Sequence, residues 1–497
     1  MYHEHPLRIL KYSMKNIWLL IFPIIRAVYQ YRVHIDKNWF YTWIKGAWLD
    51  IAIIGAIIIF GFIRWYFSVI DFTGDEIVHR DGVFIRVNTF IPISNISSAT
   101  LERPFYLTPF GATRFCCDTR AGILKANDLK LLVNKKTCAE ILKTMPQIDE
   151  NDMIEGIPRP SLMSVLMFSV FFSSGFSGTI YIATFFWKAG DISYDIITRY
   201  LNRFTEETEK LTNRLLLKIP TAAAAVGLFF IGSWLISFIV NLFRYSGFDI
   251  ESDKRCVKIT YGLLDRKEYR IKASHINYTD LRQNLIMKLF RAVSVNISCP
   301  GYGATKNRLP VLLPVKKEKN IGKELEVIGV FGGIKNDFRP KASGVGSYLL
   351  IPLVAAAEIY PAHDLIARLF PKFSELSKFI AIMLEIPAIW LIAVKFAALL
   401  TSGIAFCGSK VIVRSCIWTN FHTVAAERNK VAKIELQQNF LQKLGRKCNI
   451  SIWFEGEERK RYRVRAMSVE DAKRITQLLE YDIGIKMDAP LDKFAKK

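Results

Sequence analysis

One stretch of this chain comes back. Gln283 to Arg291 reads Gln-Asn-Leu-Ile-Met-Lys-Leu-Phe-Arg, and Gln438 to Arg446 reads Gln-Asn-Phe-Leu-Gln-Lys-Leu-Gly-Arg. Moving the first of these regions back by about 180 positions lays Gly262 on Gly82, Ile271 on Ile91, Ile276 on Ile96, Phe290 on Phe110 and Ala292 on Ala112, without a gap. Three copies of one module are therefore present, and each follows a pair of long apolar stretches. The repeating unit is a membrane hairpin followed by a water-soluble, strand-rich module.

The chain divides accordingly into an N-terminal membrane hairpin at 1–70, a first module at 71–147 and a second hairpin at 160–243 with an outer loop near 188–221. A second module at 247–333, a third hairpin at 344–406, a third module at 408–479 and a polar tail at 480–497 complete it. The expected fold is membrane α + β: six transmembrane or membrane-associated helices in three hairpins, alternating with the three modules. Trp48 to Val69 is the cleanest span, with Arg64, Trp65 and Tyr66 as interfacial anchors. Ile17 to Val28 is short and broken by Pro23 and Arg26, and no small-residue cleavage site follows it, so it does not read as a signal peptide. Within the outer loop, Ile197, Leu201, Phe204 and Leu211 recur at helical spacing, which suits either a surface-lying or a connecting helix.

Inside the modules, short runs of β-branched and aromatic residues predict strands, among them 76–80, 83–87 and 90–99 in the first copy, 256–260 and 268–271 in the second, and 411–417 and 449–454 in the third. Each copy is expected to end in a helix. Thr137-x-x-Glu140 and Ser468-x-x-Asp471 read as caps for two of them.

The charge balance narrows the partners. Lys and Arg outnumber Asp and Glu for a net +23, while 51% of residues are hydrophobic. In a chain with membrane spans, such an excess points to anionic lipid headgroups at the cytoplasmic surface. Nucleic acid is a distant alternative, because the basic residues are dispersed and no aromatic platform is interleaved with them. Cys116, Cys117, Cys138, Cys256, Cys299, Cys407, Cys416 and Cys448 all lie in or beside the modules, with no paired spacing, which suits reduced thiols in a cytoplasmic compartment. Two membrane segments between successive modules put all three on one side.

Nothing in the sequence suggests catalysis. His3, His5, His34, His79, His275, His363 and His422 are scattered, and no metalloprotease, nucleophile-elbow or phosphate-loop motif is found; Gly301-Tyr302-Gly303 reads as a flexible turn. His275 and His422 are expected on module surfaces. No cofactor and no metal are expected. The one candidate site is polar and intramembrane: Glu358, Glu385 and Lys395 fall in or beside the apolar stretches of the third hairpin, where ionisable groups are costly and often functional. The plainer reading leaves the two glutamates at an interface and Lys395 snorkelling or paired.

The pattern as a whole resembles the bacterial PH-like (bPH2) membrane proteins of the YdbT type. The residues that carry the resemblance are Gly82 with Ile91-Pro92 and Ile96, Leu107 to Gly111 with Phe110, Gly262 with Ile276, Lys288 to Arg291 with Phe290, and Lys443, Leu444 and Arg446. The family's turn is Arg-Leu-Phe-Gly-like; here Arg291 stands where glycine is usual and the third copy lacks the Phe. The resemblance implies a PH-like barrel or pair of sheets closed by a C-terminal helix. It also implies a non-enzymatic membrane protein accompanied by a smaller relative with one hairpin and one such module; self-association is the other partner expected. The expected function is a plasma-membrane scaffold that assembles proteins, in envelope maintenance or antimicrobial defence. Lipid binding or transport is the alternative.

Overall fold

The computed structural model describes residues 2–15, 48–73, 75–120, 127–145, 160–172, 221–253, 255–302, 311–317, 335–371, 374–456 and 460–483. The readings for Ile17 to Val28, the outer loop, the second module's closing helix and 484–497 of the tail lie outside them, while 480–483, read as tail, belongs to the last helix.

Each module is built from two three-stranded antiparallel sheets joined by a short 3-10 turn. The first comprises β2 (Val69–Thr73), β3 (Glu76–Asp81) and β4 (Val87–Pro92), the turn Ile93–Asn95, then β5 (Ile96–Pro104), β6 (Ala112–Thr119) and β7 (Leu129–Asn134). A two-residue strand, β1 (Tyr2–His3), extends the leading sheet beside β2. The second module repeats the order with β8 (Asp249–Ser252), β9 (Cys256–Tyr261), β10 (Asp265–Lys272), the turn Ala273–His275, β11 (Tyr278–Gln283), β12 (Ala292–Ser298) and β13 (Val311–Lys317). The third has β14 (Gly403–Cys407), β15 (Lys410–Ile417), β16 (Asn420–Glu427), the turn Arg428–Lys430, β17 (Val431–Gln437), β18 (Lys447–Phe454) and β19 (Tyr462–Ser468).

Local chemistry explains these elements. β10 alternates buried and half-buried positions through Lys267, Tyr269 and Ile271, as a strand with one face on a core must. Gly82 and Gly262 open the leading hairpin turns at φ 112° and 103°. A Cβ there would lie 1.9 and 2.1 Å from the carbonyl oxygens of Ile85 and Asp265, so only glycine fits. Helix α3 (Lys135–Thr144) closes the first module with Ile141 in its core, and α11 (Val469–Ile483) closes the third with Ala472, Ile475 and Leu479 in its core. Ser468 Oγ accepts from the amide of Asp471 at 3.0 Å, the expected cap. Thr137 is no cap: α3 begins at Lys135 and Asn134 occupies the capping position without a side-chain bond.

The modules are not closed barrels; of the two forms expected, they take the pair of sheets. Each leaves its sheets open at the edge, and neighbours share them. β5 of the first module pairs with β10 of the second, giving a six-stranded sheet in the order β7-β6-β5-β10-β9-β8; β11 of the second pairs with β16 of the third, giving β13-β12-β11-β16-β15-β14. Antiparallel strands with unpaired amides and carbonyls join in this way because the ladder satisfies both edges at once. The chain ends in a four-stranded sheet, β1-β2-β3-β4, and a three-stranded one, β17-β18-β19.

Helices lead into each module: the short basic α1 (Arg8–Lys15) and the apolar α2 (Trp48–Tyr66), the apolar α4 (Leu162–Phe172) and α5 (Thr221–Tyr245), then α7 (Val345–Ala357), α8 (Ile359–Leu369) and α9 (Ser374–Thr401). Among the described residues two runs are long and apolar enough to cross a membrane, Ala342–Leu369 and Ile380–Thr401, with shorter apolar helices at Ala52–Tyr66, Leu162–Phe171 and Ile231–Tyr245. Among the described residues, two spans and not six are seen. Part of α4 is not lipid-like at all, since Val165 and Phe168 are buried in the second module's core.

Candidate functional site

The shared sheets bring together charged side chains from different modules. At the first junction Glu102 of β5 lies opposite Lys267 of β10, and its carboxylate accepts from both Lys267 Nζ and, at 2.8 Å, Arg114 Nη1. At the second, His422 of β16 lies opposite Arg282 of β11, and both converge on Asp280: Arg282 Nε donates at 2.8 Å and His422 Nδ1 lies 3.0 Å from the carboxylate. Lys267 and His422 are equivalent positions in the repeat, as are Glu102 and Arg282. Burial alone would raise the Asp280 carboxyl, but His422 and Arg282 together outweigh it and hold the group below the ordinary carboxylate range.

Two expectations about this region fail for one reason. His275 and His422 are buried, not on surfaces, because the neighbouring module's sheet covers them. His275 Nε2 accepts from Arg120 Nε at 2.9 Å while Nδ1 meets Ser97 Oγ at 3.0 Å, so the imidazole sits between the first and second modules. Burial, then the nearby charges of Arg120, Lys272 and Lys430, pushes it down to about 4. The Gly301 turn is likewise packed and not loose: Pro300 accepts from Ser98 Oγ at 2.7 Å, and a Cβ on Gly301 would strike Asp118 at 2.2 Å. Asp280 and Arg282 escaped sequence reasoning because β11 reads Tyr-Thr-Asp-Leu-Arg-Gln and lacks a long apolar face, and Glu102 and Lys267 because their partners lie in another module. Laying Lys267 over His422 in the repeat was the signal that could have found them.

A second feature is an exposed apolar rim. The leading hairpin of every module projects apolar side chains from its tip: Phe84 (91% exposed) and Ile85, Leu263 and Leu264, and Trp418 (83% exposed). Each tip sits against the last turns of the apolar helix before it. Arg64 of α2 bonds Asp81 at 2.9 Å, the amide of Leu263 donates to Phe243 O of α5 at 3.1 Å, and Lys395 of α9 donates to Trp418 O at 2.7 Å. The turn after the first strand of each trailing sheet adds Phe105, Tyr106 and Phe110, then Ile286, Leu289 and Phe290 around α6 (Leu285–Leu289), then Phe440 and Leu444 in α10 (Phe440–Leu444). These turns close identically. Gly111, Arg291 and Arg446 take left-handed φ values of 65°, 49° and 48°, and their amides donate to Thr108, Lys288 and Lys443 carbonyls. Arg291 thus keeps the backbone that the usual glycine adopts.

The candidate intramembrane residues do not form one site. Lys395, in the last two turns of α9, reaches the hairpin tip just described. Glu385 lies ten residues earlier on α9, about 15 Å along the axis, with Oε2 buried and without a hydrogen-bond partner. Glu358 stands where α7 passes into α8 and lines an apolar cleft with His363, Ser377, Ala381 and Leu384, in which His363 Nδ1 meets Ser377 Oγ at 2.8 Å. Among the described residues, no His, Cys, Asp or Glu cluster is arranged to hold a metal ion, and all eight cysteines are free.

Open two-sheet modules, each led by helices and in the first and third copies closed by one, define a repeated domain of a kind that suggests membrane association. The profile of the bacterial PH domain family (bPH_2) matches residues 12–145, 211–325 and 349–483, and the chain belongs to that family. Each match includes part of an apolar lead as well as its module, so the repeat unit is the two together. No curated protein matches the chain.

Proposed function

We propose that the chain is a non-enzymatic, multi-pass scaffold of the bacterial plasma membrane, holding three PH modules in line on the cytoplasmic face. The observation that carries this is the repeated junction: two successive module pairs are joined by the same strands in the same relative register, each secured by a carboxylate bonded to two basic groups. Such a row, joined by continuous sheets, presents a long surface, which suits organising other proteins and suits turnover of a small substrate poorly. The titratable groups at the junctions are occupied with one another. The apolar tips beside the helix ends suit immersion in the headgroup layer, and the net charge of +23 suits anionic lipid beneath the modules. Nucleic acid has no place in this reading. Envelope maintenance and defence against membrane-active compounds are roles a membrane scaffold suits.

Native mass spectrometry of the full chain extracted gently from its own membranes tests the reading. Protein assemblies of fixed stoichiometry, built from the chain itself or with a smaller PH-like membrane partner, are expected. A monomer carrying one defined lipid contradicts it. The cleft beside Glu358 favours that second reading, lipid binding or transport, in which Glu358→Gln changes the bound lipid without changing the amount of folded protein.

A further inference from the structure

The internal junctions use two kinds of strand edge, and one of each is left open. Among the described strands, β4 pairs only with β3, and β17 only with β18. β4 is the counterpart of β10 and β16, while β17 is the counterpart of β5 and β11. Even the irregularity recurs, since the register shifts between Ile96 and Ser98 in β5–β6 and between Val431 and Lys433 in β17–β18.

We propose that β17 of one copy pairs antiparallel with β4 of a second copy, head to tail, in the register of the internal junctions. This rests on the scaffold reading and supplies its partner. Tyr269 lies opposite Thr100 at the first junction and Val424 opposite Asp280 at the second. The equivalent positions on the open edges are Thr89 and Glu435. Ile91 then faces Lys433, Phe90 faces Ile434, and Val87 faces Gln437.

Exposure supports this pairing. Ala99 and Leu101 of β5 are 3% and 1% exposed, and Thr279 and Leu281 of β11 are 3% and 7% exposed, because a neighbouring strand completes the cover over each core. Their counterparts Ile434 and Leu436 are only half-buried, and Phe90 on the other open edge is 58% exposed. Residues directly opposite on paired strands share a face, so the second copy's Phe90 would lie over Ile434. β4 carries no charged residue, so Lys433 and Glu435 meet no like charge there. The occupant is a second copy because the chain itself carries both half-sites, and modules separated by helix pairs keep both on one side of one membrane. A head-to-tail contact of this kind is heterologous and propagates into rings or rows.

The test uses the full chain in its native membrane with two different tags, Cys407 and Cys416 being replaced by Ser in both. One copy carries Thr89→Cys and the other Glu435→Cys, and a short thiol cross-linker is added. A mixed-tag dimer is expected, absent when Ile434→Cys replaces Glu435→Cys and lost when Phe90→Asp is added. A separate chain with Arg103→Cys and Arg266→Cys, opposite one another at the first internal junction, reports the scaffold itself. If that internal pair closes and no mixed-tag dimer forms, self-pairing is overturned and the scaffold reading survives. If the internal pair fails too, both fall. Cross-linking of Glu435→Cys to a different protein also overturns self-pairing and gives the edge to another module.

Discussion

The two internal junctions have the same strands and register but different chemistry. The first joins Glu102 to Lys267 and Arg114, with the Glu102 side chain 13% exposed; the second joins Asp280 to Arg282 and His422, with the Asp280 side chain 2% exposed. Both obey one rule, a single carboxylate held by two basic groups, one of them from the next module. The backbone ladder therefore sets the geometry, and the side-chain trio is the variable part that distinguishes one junction from the other. Interlocking differs as well. The second module lends Tyr278 to the third module's core, beside Phe454 and Tyr462, whereas the equivalent Ser98 at the first junction only donates to Pro300.

This contrast can be broken by substitution. Asp280→Ala leaves Arg282 without a counter-charge and His422 without its hydrogen-bond partner in a buried site and is expected to cost about 3–5 kcal/mol, read as a lower urea midpoint in pulse proteolysis. Glu102→Gln, at the more open junction, is expected to cost about 1.5–3 kcal/mol by the same assay. If the two effects are equal, burial is not what separates the junctions.

Acid separates them without mutation. His275 is pushed down to about 4, below its ordinary value, so the folded chain resists a proton that the unfolded chain accepts. Its contribution is complete above about pH 6.5 and is lost as pH falls toward 4, loosening the contact between the first and second modules. Asp280 is also held low, so its contribution persists until pH drops below about 4, the unfolded carboxyl range. Proteolysis between the first two modules is expected to rise at pH 5 before any rise between the second and third, and His275→Gln should flatten that early step. The smallest effect concerns the rim turns: Arg291→Gly and Arg446→Gly relieve left-handed strain and are expected to stabilise by about 0.5–1 kcal/mol each in thermal melts.

Much of the architecture was legible because it repeats. Gly82 and Gly262 mark turns that only glycine can make, and Ile91, Ile271 and their neighbours supply strand alternation, so the three modules could be read directly; 83–87, read as a strand, is instead the hairpin tip, and 90–99 is two strands parted by the turn Ile93–Asn95. Ser468 announced its helix correctly. The linking strand β11 was missed because its apolar face is finished by the neighbouring module, which covers Leu281, and its counterpart β17 because Ile434 and Leu436 are only half-buried and its face is interleaved with charge. The same reason hid the junction trios, since a lone Asp280 or Lys267 looks like a solvated charge until the other module is in place. His422 was misplaced on a surface for that reason too. The intramembrane trio Glu358, Glu385 and Lys395 could be named from apolar context, but only helix geometry shows that they stand apart.

Single-residue amide exchange across β5 and β11, in the intact chain held in lipid nanodiscs, tests the joined-module arrangement most directly. Each strand bonds one way to its own sheet and the other way to the neighbouring module, on alternating residues. Slow exchange at successive amides through Ser98 to Arg103 and Thr279 to Arg282 is the predicted result. Rapid exchange at every second amide, with the others protected, would contradict it and leave three independent modules on a string.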